Sequence, residues 1–232
     1  MTIRRRKVGL ALLAWTAIAW AQKEVRIPAA EVHQVGAPVR IRGEVTAKDQ
    51  QSENTPYTFE GDLYLTNEST KPILLLIMQL DVISPFKISL NYTEVQDYFF
   101  ESSIPQPGST VKLHRVLGAF GEPKGPYETF PVESSAHARV VFVQFVDGSS
   151  WGDFAAAKKA LRDRQLSLHQ LEILREESKK EGQKEFAEAL SQPTNLQPIS
   201  QLQDLFHEGG VLAPVVAKVN GMLDNASARS TP

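Results

Sequence analysis

The sequence predicts an antiparallel β-sandwich followed by an α-helical region, and three observations carry that reading. Apolar and polar residues alternate through 39–45 and 57–65, the signature of strands with one solvated face. Further short runs of apolar and β-branched residues, separated by turn chemistry, continue to about residue 150. Beyond Asp147-Gly148 the period changes, with Phe154, Ala157, Leu161, Leu168, Leu171 and Leu174 recurring at helical spacing. Strands first and helices afterwards give a segregated α+β architecture. The expected organisation is a leader at 1–21, a β-sandwich at 22–150 and a helical region at 151–232.

The leader comes first. Arg4, Arg5, Arg6 and Lys7 precede an apolar run at 8–21, and Ala19-Trp20-Ala21 sets small residues where signal peptidase needs them. The run falls short of the roughly 20 residues that span a bilayer. A Sec-type signal peptide cleaved after Ala21 is therefore expected, with no stable membrane insertion afterwards and a periplasmic or secreted product. No cysteine follows to take a lipid.

Among the strands, 72–80 is continuously apolar and bounded by turn residues, which suits a central strand buried on both faces. Runs at 86–92, 97–101, 111–117 and 139–146 complete the set. Ile104-Pro105-Gln106-Pro107-Gly108-Ser109 reads as a rigid turn, since proline fixes φ and glycine supplies a positive one. The irregular stretch 118–131, with Phe120, Tyr127 and Phe130, is long for a hairpin.

In the helical region Asp153 is the expected N-cap of a helix over 153–180. The charged stretch 176–185 reads as a solvated face with Glu176 and Lys180 paired, broken at Gly182. Phe186, Ala187 and Leu190 form a short helical patch before Pro193. The spacing Ser200-x-x-Gln203 predicts a capping box that starts a helix ending at Gly209-Gly210. Pro214 sits near the first turn of a last helix, whose Leu212, Val215, Val216, Val219, Met222 and Leu223 must be buried against something, the rest of this chain being the favoured surface.

Composition narrows the function. The 25 Lys and Arg against 27 Asp and Glu exclude a polybasic nucleic-acid binder, and the absence of cysteine excludes disulfides, thiolate metal sites and a cysteine nucleophile. Removing the leader takes four cations with it and leaves an acidic chain, which anionic phosphates and lipid headgroups repel. Trp151 is then the one remaining tryptophan, which disfavours carbohydrate stacking. No Gly-x-Ser-x-Gly elbow, His-Glu-x-x-His or phosphate loop occurs, and the five histidines stand singly. No catalytic residue, metal or cofactor is assigned.

Two segments remain as a speculative binding surface. Asp147 and Asp153, flanking Trp151, could form a calcium loop, but two carboxylates fall short of the roughly six oxygens calcium wants. A tight turn, with Trp151 folded onto the sheet and Asp153 capping the helix, is the preferred reading. Phe120, Tyr127 and Phe130 either plug the open end of the sandwich or present a binding tip. Tyr92, Tyr98, Phe99 and Phe100 are assigned to core packing, because adjacent aromatics on a strand point to opposite faces.

The run Asn67-Glu68-Ser69-Thr70-Lys71-Pro72-Ile73, then Asp97-Tyr98-Phe99-Phe100 with Pro107-Gly108, then 140–149 with Trp151-Gly152, resembles a group of uncharacterised exported bacterial proteins. That resemblance implies an immunoglobulin-like sandwich in a bacterial envelope and nothing about activity. The expected function is a non-enzymatic module that binds another envelope protein. The alternatives are a small-ligand-binding protein or hydrolase with its site near 118–131 and 147–153, and a self-assembling structural component. The oligomeric state is left open.

Overall fold

A computed structural model of the chain describes residues 24–31, 34, 36–49, 57–83, 89–120, 134–179 and 183–230. The expected leader, Tyr127 and Phe130 lie outside the described residues. The strands are β1 (Glu24–Glu31), β2 (Val39–Asp49), β3 (Tyr57–Asn67), β4 (Ile73–Ile83), β5 (Ser89–Asp97), β6 (Thr110–Phe120), β7 (Ser135–Phe145) and β8 (Ser150–Gly152). Among the described residues four helices follow: α1 (Phe154–Ser178), α2 (Gln183–Leu190), α3 (Gln197–Gly209) and α4 (Leu212–Ser230).

The strands form one mixed sheet in the order β5-β4-β7-β1-β2-β3-β6, with β8 added to β7, and the sheet curls almost into a barrel. This corrects the expected immunoglobulin-like sandwich with a segregated helical tail. The cause lies in β1. Its first half pairs antiparallel with β2 as far as Pro28, and Ala29 to Glu31 then pair parallel with Ala136 to Ala138 of β7. Pro28 has no N–H to give to a ladder, and at that residue the strand crosses from one partner to the other. Two ladders that local alternation cannot connect become one sheet.

The edges of the sheet, β5 and β6, are joined by side chains. Arg115 Nε donates to Glu94 at 3.1 Å and the Tyr92 hydroxyl donates to the same carboxylate at 2.7 Å, with the Gln96 amide as a further donor. Glu94 is only 4% exposed. Burial, reinforced by this carboxylate, pushes the Tyr92 phenol up to about 12. A charge pointing inward on an edge strand discourages edge-to-edge pairing of apolar strands.

Burial follows strand parity. Leu76, Met78, Leu80 and Val82 of β4 meet Ala136, Ala138, Val140 and Val143 of β7 inside the sheet. Leu75, Ile77 and Phe142 face outward and pack under Ala157 and Ala160 of α1. β4 is thus buried on both faces, as its unbroken apolar run predicts. An irregularity at Ile77/Met78 in the β4–β7 register shifts the alternation, so the inward set passes from Ala136, Ala138 and Val140 to Val143 and Phe145, and Phe142 faces out. The small side chains of Ala157 and Ala160 let α1 lie close against the sheet.

The helices build a second core rather than a tail. Leu171, Leu174, Phe186, Leu190, Ile199, Leu202, Val219 and Met222 pack together with Leu74, Phe99 and Phe100 from the strand region. Asp153 caps α1 as expected, its carboxylate accepting from Ala155 N at 2.8 Å, and Gly210 ends α3 at φ 62°. The capping box is corrected: α3 starts at Gln197 with no side-chain cap on Leu196. Gln203 instead donates to the carbonyls of Leu190 and Gln192 and closes the end of α2. Glu176 pairs with Lys179 at 2.8 Å, while Lys180 lies outside the described residues. The expected strand at 97–101 is a turn, because the Asp97 carboxylate accepts from Phe99 N at 3.1 Å.

Candidate functional site

The predicted binding residues occupy separate places. Phe120 ends β6, its backbone in register with Tyr57. Trp151 packs against the sheet core from β8, and Asp153 is engaged at the start of α1. Asp147 turns back across the β7–β8 hairpin, where it accepts from Ser149 N at 3.0 Å and from Lys71 Nζ at 2.7 Å. The two carboxylates of the considered calcium loop therefore serve different turns.

Lys71 Nζ also donates to Ser149 Oγ at 2.9 Å, which brings a hydroxyl and an amine within reach of each other. A Ser–Lys pair attacks a carbonyl only if the amine can take the hydroxyl proton. Here the amine is also held by Asp147, and the group is a solvated ion pair tying the β3–β4 loop to the β7–β8 hairpin. The hydrogen bond from Lys71, helped by those from Ser149, holds the Asp147 carboxyl at about 2, against an ordinary value of 3.8. A depressed folded-state value stabilises the protein above the unfolded value and loses that contribution as pH falls from about 4 toward 2. An NMR titration of the Asp147 carboxyl is expected to show a midpoint near 2, and the Lys71→Met variant to return it toward the ordinary range. An unchanged midpoint in the variant would show that Lys71 is not the cause.

A cleft lies elsewhere among the described residues. A cleft of about 450 Å³ opens between the outer face of β4 and β5, the first half of α1 and the start of α3. Ile77, Val95, Phe100, Val141 and Ala160 give it an apolar floor and wall. β5 sends Thr93, Val95 and Asp97 into it, because alternate residues of a strand share a face. Asn195, Gln197 and Gln201 stand on the opposite rim.

Four of the charged cleft residues pair with one another, and Glu101 stands apart from them. Arg164 grips Asp97 through both its oxygens, Nε to Oδ2 at 2.8 Å and Nη2 to Oδ1 at 2.9 Å, and Nη1 donates to Gln144 at 2.9 Å. The same guanidinium stands over the Phe99 ring, 4.8 Å from its centroid. Lys159 pairs with Asp163 one helical turn on. Glu101 lies within the influence of Arg229, which donates to the carbonyls of Tyr98 and Glu101, while Asn225 donates to that of Phe100. Partial burial lowers the Arg229 pKa, and Glu101 and Asp97 oppose that shift. The turn 98–101 is thus clamped by α4, and Asp97 by α1.

What the cleft offers a ligand is therefore apolar surface, neutral amide and hydroxyl groups, and Glu101. Sequence reasoning missed it, since it is assembled from three distant and individually unremarkable segments. The run Ala155-Ala156-Ala157 was the available sign, marking where a helix approaches another layer closely. No family model matches the chain, and no curated protein matches it.

Proposed function

We propose that the protein is an exported, non-enzymatic module that binds another protein of the bacterial envelope through the cleft between α1 and the outer face of β4 and β5. The observation that carries this is a cleft of about 450 Å³ with an apolar floor, in which Arg164 is paired with Asp97 and Lys159 with Asp163. A ligand that enters meets apolar side chains, neutral donors and acceptors and Glu101, groups that can hold a polypeptide segment. The cationic, apolar and small-residue sequence of the leader supports export.

The test is site-specific photocrosslinking in the native cell, with the reactive group at Gln201 on the cleft rim. A discrete crosslinked protein is expected, and it should disappear in Ala156→Trp, which fills the cleft from an exposed position of α1. The same crosslink from the filled variant would reject the cleft as the contact site. Turnover of a substrate by the purified protein, lost on one polar substitution, would reject the non-enzymatic reading.

A further inference from the structure

We propose that the partner's segment carries a lysine or arginine side chain whose aliphatic stem lies on the apolar floor of the cleft and whose charged end pairs with Glu101, an inference that rests on the cleft-binding reading above. The charged residues that line the cleft are Asp97, Glu101, Lys159, Asp163 and Arg164. Arg164 is held by Asp97 and Lys159 by Asp163, which engages both cations and two of the three carboxylates. Glu101 is left over, and among the described residues its carboxylate makes no ion pair. Arg229 attracts it, yet Arg229 gives its donors to the carbonyls of Tyr98 and Glu101 and does not line the cleft. An incoming cation therefore finds one unmatched negative charge, whereas an incoming anion finds both lining cations already engaged.

The backbone of Glu101 is fixed before any ligand arrives. Its N–H donates to the Tyr98 carbonyl at 3.1 Å, its own carbonyl accepts from Arg229, and the carbonyl of the buried Phe100 accepts from Asn225. Pairing then costs the rotamers of two side chains and not the ordering of a loop. Ile77, Val95 and Phe100 give a methylene stem apolar surface to cover, and the amides of Gln197 and Gln201 can accept from the N–H groups that Glu101 does not take. The start of α3 also borders the cleft, where it offers an anion little. Leu196 N donates to Thr194 Oγ1 at 3.1 Å, Pro198 has no N–H, and Ile199 N and Ser200 N both donate to the Leu196 carbonyl at 3.0 Å. The donors that a helix start ordinarily presents are thus largely missing or engaged. A carboxylate brought there would lose water without gaining a partner.

The test uses the full chain and a dye-labelled, acetylated pentapeptide amide, Val-Thr-Lys-Thr-Val, with binding read by fluorescence anisotropy. Analogues carry arginine, glutamate or norleucine at the centre, and norleucine keeps the stem while removing the charge. Saturable binding is expected for the lysine and arginine peptides, at least about tenfold tighter than for the norleucine peptide, with the glutamate peptide weakest. In Glu101→Gln the lysine and norleucine peptides should bind alike, and Ala156→Trp should weaken both. A preference for lysine that survives Glu101→Gln would overturn the contact, as would a norleucine or glutamate peptide that binds the unaltered protein as tightly as the lysine peptide. In either case the cleft reading stands if Ala156→Trp still weakens binding. Binding untouched by Ala156→Trp would overturn both. Displacement of the labelled peptide by n-butylamine as readily as by unlabelled lysine peptide would make this a site for free amines and overturn the polypeptide partner. No saturable binding would overturn the inference alone, since the Gln201 crosslink judges the cleft without any assumption about charge.

Discussion

Replacing Arg164 with alanine is expected to lower the unfolding free energy by about 3 kcal/mol, because it removes one partner of a largely buried ion pair. The Arg164 side chain is 10% exposed and that of Asp97 is 18% exposed. Three interactions end together: the two-pronged grip on Asp97, the hydrogen bond to Gln144 and the stack over Phe99. The Asp97 carboxylate would keep only its bond from Phe99 N, which does not compensate a charge held away from water. Asp97→Ala should cost a similar amount, by leaving the guanidinium without its counter-charge. In the double variant the two costs should fall well short of adding, since the second substitution removes the charge that the first left unpaired. Urea unfolding of the four proteins measures this. Additive losses, or a single loss under about 1 kcal/mol, would show that the pair is too well hydrated to hold α1 against β5.

That pair also illustrates which features the sequence carries and which it does not. A property is legible when it is local. The apolar run 72–80 announces a doubly buried strand because each of its residues reports on its own surroundings, and Asp153 and Gly210 announce helix ends through capping chemistry that acts within a few residues. Asp97 and Arg164 are unremarkable where they stand, and only the fold brings them together. The same holds for the parallel pairing of β1 with β7. Ala29 and Ala30 have no strong strand preference, and their partners, Ala136 and His137, lie at the other end of the strand region. Alternation reveals which face of a strand is wet, yet it does not name the neighbour. A sandwich and a nearly closed sheet built from the same strands therefore look alike in sequence. The outward-facing Leu75, Ile77 and Phe142 could have tipped the balance, because a sheet with a second apolar face must be covered. The helices that follow are the available cover, which is why they dock instead of trailing.

Gly152→Ala is expected to be at least as damaging, at about 3 kcal/mol, and Gly148→Ala gives the matched comparison. Both glycines have positive φ, 91° and 81°, where an L side chain costs about 1 to 2 kcal/mol in the backbone alone. Their surroundings differ. A Cβ at Gly148 would meet nothing within 4 Å, whereas at Gly152 it would stand 2.2 Å from the carbonyl oxygen of Val141. That oxygen accepts from Asp153 N at 2.9 Å, and Asp153 caps α1. Relief of the overlap must therefore displace β8 from β7, loosen the first turn of α1 and disturb the wall of the cleft that Ala156 and Ala160 form. Gly148→Ala should lose about 1 kcal/mol and keep the Gln201 crosslink, while Gly152→Ala should lose the larger amount together with hydrogen-exchange protection across the first turns of α1. Equal losses from the two would mean that backbone conformation alone sets the cost, and that the junction between sheet and helix can give way without releasing either.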